Sequence, residues 1–215
     1  PPNMSDSEAA VFTIAYRTGY VALVIRGQMK AGETLLVQGA SGGTGAAAIQ
    51  LGKALGGRVI AVANGKLKTD KCISFGADDV IDSSREDFVE KISVLTQGAG
   101  VDLVFDPVGG DIFNRSLNCL SFGGRLLAIG FASGQWGDAS TEDLALNNRS
   151  VIGVLATVPT AEISQAMQDE LHRFYKQGKI SPHIERTHPF ADLPAALADL
   201  DNRVIIGRSV ILMGR

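Results

Sequence analysis

The chain has 215 residues, 45% hydrophobic and 20% charged, with 25 glycines and 2 cysteines. This apolar content suffices for a buried core, and a net charge of −3 with no basic block argues against a dedicated nucleic-acid binder. Cys72 and Cys119 stand apart, which excludes a disulfide framework or a four-cysteine zinc lobe and makes a reduced, cytoplasmic setting the expectation. No run of 18 apolar residues predicts a membrane span, and no basic segment leads into an apolar one as in a signal peptide. The first residues are Pro1-Pro2-Asn3, without an initiator methionine, which suggests a piece of something longer.

Ser5-Asp6-Ser7-Glu8 reads as a capping box opening a helix to about Arg26. Thr34 to Gln38 is a short apolar run ending at glycine, hence a buried strand. Gly39 to Gly45 is a glycine-rich turn, and Ala46 to Leu55 a helix stopped by Gly56-Gly57. The alternation continues with strand Arg58 to Ala63, helix Lys66 to Phe75, strand Asp79 to Ile81 and helix Glu86 to Thr96. Strand Val101 to Phe105, helix Asp111 to Leu120 and strand Gly124 to Ile129 follow. After a polar loop at Ala132 to Thr141 come a short helix near Leu144 and an apolar strand at Ser150 to Ala156. An amphipathic helix at Ala161 to Gln177, a strand around Ile184, a helix at Leu193 to Leu200 and a strand at Ser209 to Met213 close the chain. Repeated strand–helix units with apolar strands predict an α/β fold, a doubly wound parallel sheet of the Rossmann kind.

Glycines 39, 42 and 45 lie between a strand and a helix, where a dinucleotide's pyrophosphate needs a tight turn, close backbone approach and free N–H groups. NAD sites usually place Asp or Glu at the end of the second strand for the ribose 2′-OH. Here Val62-Ala63-Asn64-Gly65-Lys66-Leu67-Lys68 offers no acid and two lysines, which favours NADP and its 2′-phosphate.

Thr18-Gly19-Tyr20, Ala31 to Val37, Gly39 to Gly45, Gly76-Ala77-Asp78, Val101 to Asp106, Val108-Gly109-Gly110, Gly123-Gly124-Arg125 and Gly178-Lys179-Ile180 occur in one order. In that order they resemble the cofactor domain of a zinc-independent medium-chain dehydrogenase/reductase of the quinone oxidoreductase type. The resemblance implies that Ser41, Gly42, Gly43 and Thr44 hold the pyrophosphate, and that Asn64, Lys68 and Arg203 hold the adenosine 2′-phosphate. It implies that Val108, Ile129, Phe131 and Ser133 line the nicotinamide half, with Thr18 touching the ring from the other side. Ser83 stands where the family often has tyrosine.

Such proteins carry a GroES-like domain before this point; the expectation is a Rossmann domain over residues 1–185, with 186–215 returning to a mostly absent catalytic domain. Ile14 stands where zinc-dependent relatives have a cysteine ligand, so no metal is expected. The implied activity is NADPH-dependent hydride transfer to a quinone or an activated alkene or carbonyl; the catalytic residues stay unassigned. Enoyl-thioester reduction and a non-catalytic NADP(H) sensor are the alternatives. The expected partners are a small-molecule substrate and a second copy of the chain, with neither nucleic acid nor membrane. Pairing would run through Ser150 to Ala156, where proline at Val154 would remove an outward N–H.

Three smaller patterns are read as structure. Tyr175 and Lys179 have the spacing of a short-chain dehydrogenase pair, but Gly178 and Pro182 end the helix between and after them. His172, His183 and His188 do not complete a ligand set, and the cysteines read as small core residues. Trp136 fits either a cover over the active site or a packing role within its loop.

Overall fold

The computed structural model describes residues 3–214. Ser5 caps the first helix, α1 (Asp6–Tyr20): its hydroxyl accepts from Glu8 N–H, and its own N–H donates to Glu8 Oε2 at 2.9 Å. The helix does not keep one pitch to Arg26. Val21–Arg26 is a π-helical turn, closed by Gly27 N–H on the Ala22 carbonyl at 2.7 Å. Gly27 permits this because a Cβ there would press on the Ala22 carbonyl and on Leu103 and Leu127. The segment Asp6–Arg26 is long and apolar enough to cross a membrane by length and composition, although Arg17 and Thr18 interrupt its apolar residues. Half of it is buried inside the fold, with Phe12, Tyr16 and Leu23 in the core.

Six strands follow: β1 (Thr34–Val37), β2 (Arg58–Ala63), β3 (Asp79–Asp82), β4 (Val101–Asp106), β5 (Leu120–Ala128) and β6 (Ser150–Gly153). They form one parallel sheet in the order β3-β2-β1-β4-β5-β6. Alternating side chains divide the core: Leu35 and Val37 enter one apolar layer, Leu36 the other. The first layer packs α1, α2 (Gly43–Ala54) and α7 (Ala161–Lys176) through Phe12, Leu51 and Met167. The second packs α4 (Phe88–Leu95) and α5 (Gly110–Leu117) through Phe88, Ile92 and Phe113. The helix α3 (Lys66–Ser74) follows β2, and α6 (Thr141–Leu146) precedes β6.

Element ends shift for local reasons. α2 starts at Gly43, inside the glycine turn, because Gly42 in extended conformation is its N-cap. α4 starts at Phe88 because the Asp87 carboxylate accepts Val89 and Glu90 N–H. β5 starts at Leu120, ahead of Gly124, and α5 stops at Leu117: the Cys119 carbonyl is taken by Val101 N–H at 2.8 Å. β6 stops at Gly153 rather than Ala156, since beyond Val154 the Ala156 carbonyl accepts from Arg17 Nε at 2.9 Å. Val154 N–H donates to Ala128 O within the sheet, so it does not point outward, and proline there would cut the chain's own ladder.

The last segment is a unit of its own: β7 (Ile184–Pro189) and β8 (Arg208–Leu212) pair in parallel, joined through α8 (Leu193–Asp201). It lies on the glycine turn, where Gly207 N–H donates to Ser41 O at 2.7 Å.

Candidate functional site

In a sheet of this order the connections from β1 and β4 run to opposite faces, which opens a crevice beyond their C-terminal ends. A cleft of about 450 Å³ occupies that place, within the range of small-molecule sites.

The floor is the glycine turn. Gly39 has φ +57°, and Gly42 N–H donates to its carbonyl at 3.0 Å. A Cβ on Gly45 would run into the Gly39 carbonyl and Ala40, so only glycine lets α2 start this close to β1. The first N–H groups of α2, at Gly43, Thr44 and Gly45, have no intrahelical acceptor and carry the positive end of the helix dipole.

One wall is cationic. Asn64 ends β2, and Gly65 after it (φ +88°) is pinned by its N–H on Asp82 Oδ1 at 2.7 Å. Hydrogen bonds from the Ser84 hydroxyl and from Gly65 and Ser84 N–H hold the Asp82 carboxyl below its usual range. Lys68 Nζ donates to the Arg203 carbonyl at 2.6 Å, joining the α3 side to the C-terminal unit. Arg203 itself is in the left-handed region, φ +57°.

The other wall is apolar. Asp106, fully buried at the end of β4, accepts Val108 N–H at 2.8 Å and Gly109 N–H at 3.1 Å. Burial still pushes its carboxyl above the usual range. These bonds set the turn that turns Val108 toward the cleft. The loop after β5 is laced to that turn by Ala132 N–H on Pro107 O and Ser133 N–H on Val108 O.

Of the residues expected at a site, Ser41, Gly42, Asn64, Lys68, Val108 and Arg203 line this one cleft. Gly43 and Thr44 sit beside it at the start of α2. Ile129 packs at the edge of the core, and Phe131 and Ser133 stand on the rim loop. Thr18 lies outside the lining, its hydroxyl donating to Ile14 O at 2.7 Å.

Two contributors carried no sequence signal. Asp106 ends an apolar run, and only the turn geometry gives it a role. Arg208 follows the Gly207 bridge, and a Cβ on Gly43 would overlap its guanidinium. Among the described residues no carboxylate pairs with Arg208, and burial lowers its pKa. Arg208 lines a separate small pocket with Tyr16, Gly43 and His183 rather than the cleft itself.

Elsewhere the structure accounts for the smaller patterns. α7 ends at Lys176, Tyr175 donates to Glu8 Oε1 at 3.3 Å, and Lys179 lies over the Phe174 ring, so the Tyr–Lys pair does not meet. Both cysteines are buried, which pushes their thiols up to about 12. Ile14 is exposed, and among the described residues no three His, Cys, Asp or Glu side chains converge as a metal site.

The family model described as zinc-binding dehydrogenase matches residues 43–172. The quinone oxidoreductase-like protein 2 of Bos taurus is 31% identical over 98% of this chain, which covers 62% of that protein. The crystal structure of Escherichia coli quinone oxidoreductase complexed with NADPH superposes with a TM-score of 0.89 at 28% identity, covering 99% of this chain and 67% of that one. CurK enoyl reductase gives a TM-score of 0.86 at 26% identity, over 100% of this chain and 64% of that one. The chain thus spans about three fifths of the length of the first curated relatives it matches.

Proposed function

The chain belongs to the zinc-binding dehydrogenase family, as a quinone oxidoreductase-like cofactor-binding domain of the medium-chain dehydrogenases/reductases, and from that premise we propose that it holds NADPH for reduction of a quinone or another activated double bond. The observation that carries this reading is the single cleft that joins the glycine turn to Asn64, Lys68 and Arg203.

The residues present fit the dinucleotide. The turn has no Cβ where a phosphate must approach. The Gly43 and Thr44 N–H groups at the start of α2 would donate to the pyrophosphate. Lys68 and Arg203 would neutralise the 2′-phosphate, and Asn64 would hydrogen-bond it. Bound there, NADPH supplies the reducing hydride. Val108 and the rim loop keep water from the reacting end and orient the acceptor, while Asp106 holds Val108 in place from behind.

Titration with NADPH and NADH, read by dihydronicotinamide fluorescence, tests the reading. Tighter NADPH binding is expected; equal curves for the two would reject the NADP assignment, and no binding of either would reject the site.

We further propose a homodimer through the β6 edge. Ile152 and Val151 are half-buried there and Leu155 is 77% exposed, so a second β6 would cover apolar surface and pair open backbone groups.

A further inference from the structure

The rim loop carries two aromatic rings, Phe131 and Trp136, with centroids 4.7 Å apart and planes at 35°. Resting on the dinucleotide reading of the cleft, we propose that Trp136, backed by Phe131, is a stacking platform for the acceptor's ring, selecting planar neutral quinone-type rings over enoyl thioesters.

The indole is not placed as a structural anchor. It is 59% exposed, Phe131 is 51% exposed, and each offers the other one face while its outer face meets solvent. Among the described residues the indole N–H has no acceptor, whereas a tryptophan that anchors a loop buries its ring and usually pairs that N–H.

The backbone beneath the rings, by contrast, is tightly held. A Cβ on Gly109 would meet the Gln135 carbonyl at 2.5 Å and Phe131 Cα at 3.2 Å, and Gly137 lies against the Phe113 ring. Ser133 Oγ donates to Gln135 O at 3.1 Å, and Asp138 N–H donates to Asn114 Oδ1 at 3.0 Å. A fixed loop thus presents exposed, mutually stacked aromatics at the edge of the cleft.

Place and charge then decide the ligand. A doubly wound sheet takes one mononucleotide on each half, and the cationic wall assigns the phosphate-bearing adenosine to the β1–β3 half. The rings therefore stand on the nicotinamide half, where an acceptor must lie. From Ile129 to Gly137 there is no Lys or Arg, and Asp138 and Glu142 beyond it are exposed acids. Arg149 lies at the opposite edge of the sheet, on the Leu120 carbonyl, and at the end of β6 Arg26 and Arg17 donate to the Gly153 and Ala156 carbonyls. The loop itself offers no cation to the phosphate groups that a coenzyme A or carrier-bound thioester brings. A neutral planar ring brings none and gains from stacking.

Trp136 is the only tryptophan in the chain, so its emission reports on this place alone. The chain saturated with NADP+, which prevents turnover, is titrated with 1,4-naphthoquinone and with crotonyl-coenzyme A by calorimetry and indole quenching. Naphthoquinone is expected to quench Trp136. Trp136→Ala and Trp136→Leu should weaken its binding about fivefold, Trp136→Phe much less, and NADP+ affinity should stay as in the wild type. Absence of quenching at millimolar naphthoquinone, or unchanged naphthoquinone affinity in both the alanine and leucine variants, overturns the proposal. So does an equal loss for crotonyl-coenzyme A. A wild type that binds naphthoquinone at Trp136 but no NADP+ would instead overturn the cofactor reading and leave the platform standing.

Discussion

On the β1–β3 side of the cleft the surface is backbone and charge: a glycine turn, the free N–H groups of α2, and Lys68 and Arg203. On the β4–β6 side it is apolar: Val108, Ile112 and Ala132 over a buried Asp106, with the Phe131–Trp136 pair on the loop beyond them. The first half matches a ligand by counter-charge and by the absence of Cβ atoms. The second matches by shape and stacking. The halves should therefore fail differently when altered, one losing phosphate affinity steeply and the other shifting preference among acceptors.

The sharpest break is expected at Gly45. Gly45→Ala places a methyl against the Gly39 carbonyl and Ala40. Overpacking of this kind costs about 2–3 kcal/mol, or about 5–10 °C in Tm for a chain of this size, and it moves α2 off the turn. Thermal melting and dinucleotide titration check it: near-wild-type Tm with intact binding would mean that the turn has room which the geometry denies.

Lys68→Ala comes next. Losing a charge-assisted contact costs about 1.5–3 kcal/mol, so NADPH affinity should fall tenfold or more while NADH changes little. The ammonium also holds the Arg203 carbonyl, so Arg203→Ala combined with Lys68→Ala should cost less than the sum of the two singles. Fully additive losses would show that the two cations act separately.

The two edges of the sheet extend the comparison. β3 begins and ends in aspartates, whereas β6 reads Ser-Val-Ile-Gly. Gly153 O, next to the inward-bonded Val154, accepts from Arg26 rather than from β5. By strand alternation Val151 N–H also faces out. Val151→Pro should therefore raise the dimer dissociation constant about tenfold without touching the chain's own ladder. Light scattering that finds a wild-type monomer at micromolar concentration, or an unperturbed dimer in the variant, would rule out this edge.

The smallest effect is expected from Asp106. Burial raises its pKa in the folded chain, so between the unfolded value and that raised value the native state binds more protons than the unfolded one. This group's contribution to stability then declines as pH rises through that window and is most favourable below it. Denaturant unfolding of the wild type and Asp106→Asn across that range should show a downward slope that the variant lacks. Parallel curves would mean that the carboxyl titrates normally.

The glycine-turn side of the cleft was readable because its features are local. Gly39 to Gly45 and Asn64 to Lys68 lie within short spans, so the turn and its helix start could be read without any remote contact. Strands β1, β2 and β4 were equally legible, since strands buried on both faces are unbroken apolar runs. The pitch change at Val21 was not, because it depends on Gly27 packing against Leu103 and Leu127, remote in sequence. The end of β6 was not either, because Arg17 takes the Ala156 carbonyl across 139 positions. Nor was Arg208, whose place exists only because Gly207 bridges to Gly42 and residue 43 has no side chain. Sequence alone determined the layered α/β architecture and the glycine turn between β1 and α2, which follow from periodicity and from steric demands within a few residues. Tertiary structure alone decided which face of Trp136 is free, which N–H of β6 points outward and which carbonyl Lys68 reaches, because each depends on groups that meet only after the chain has folded.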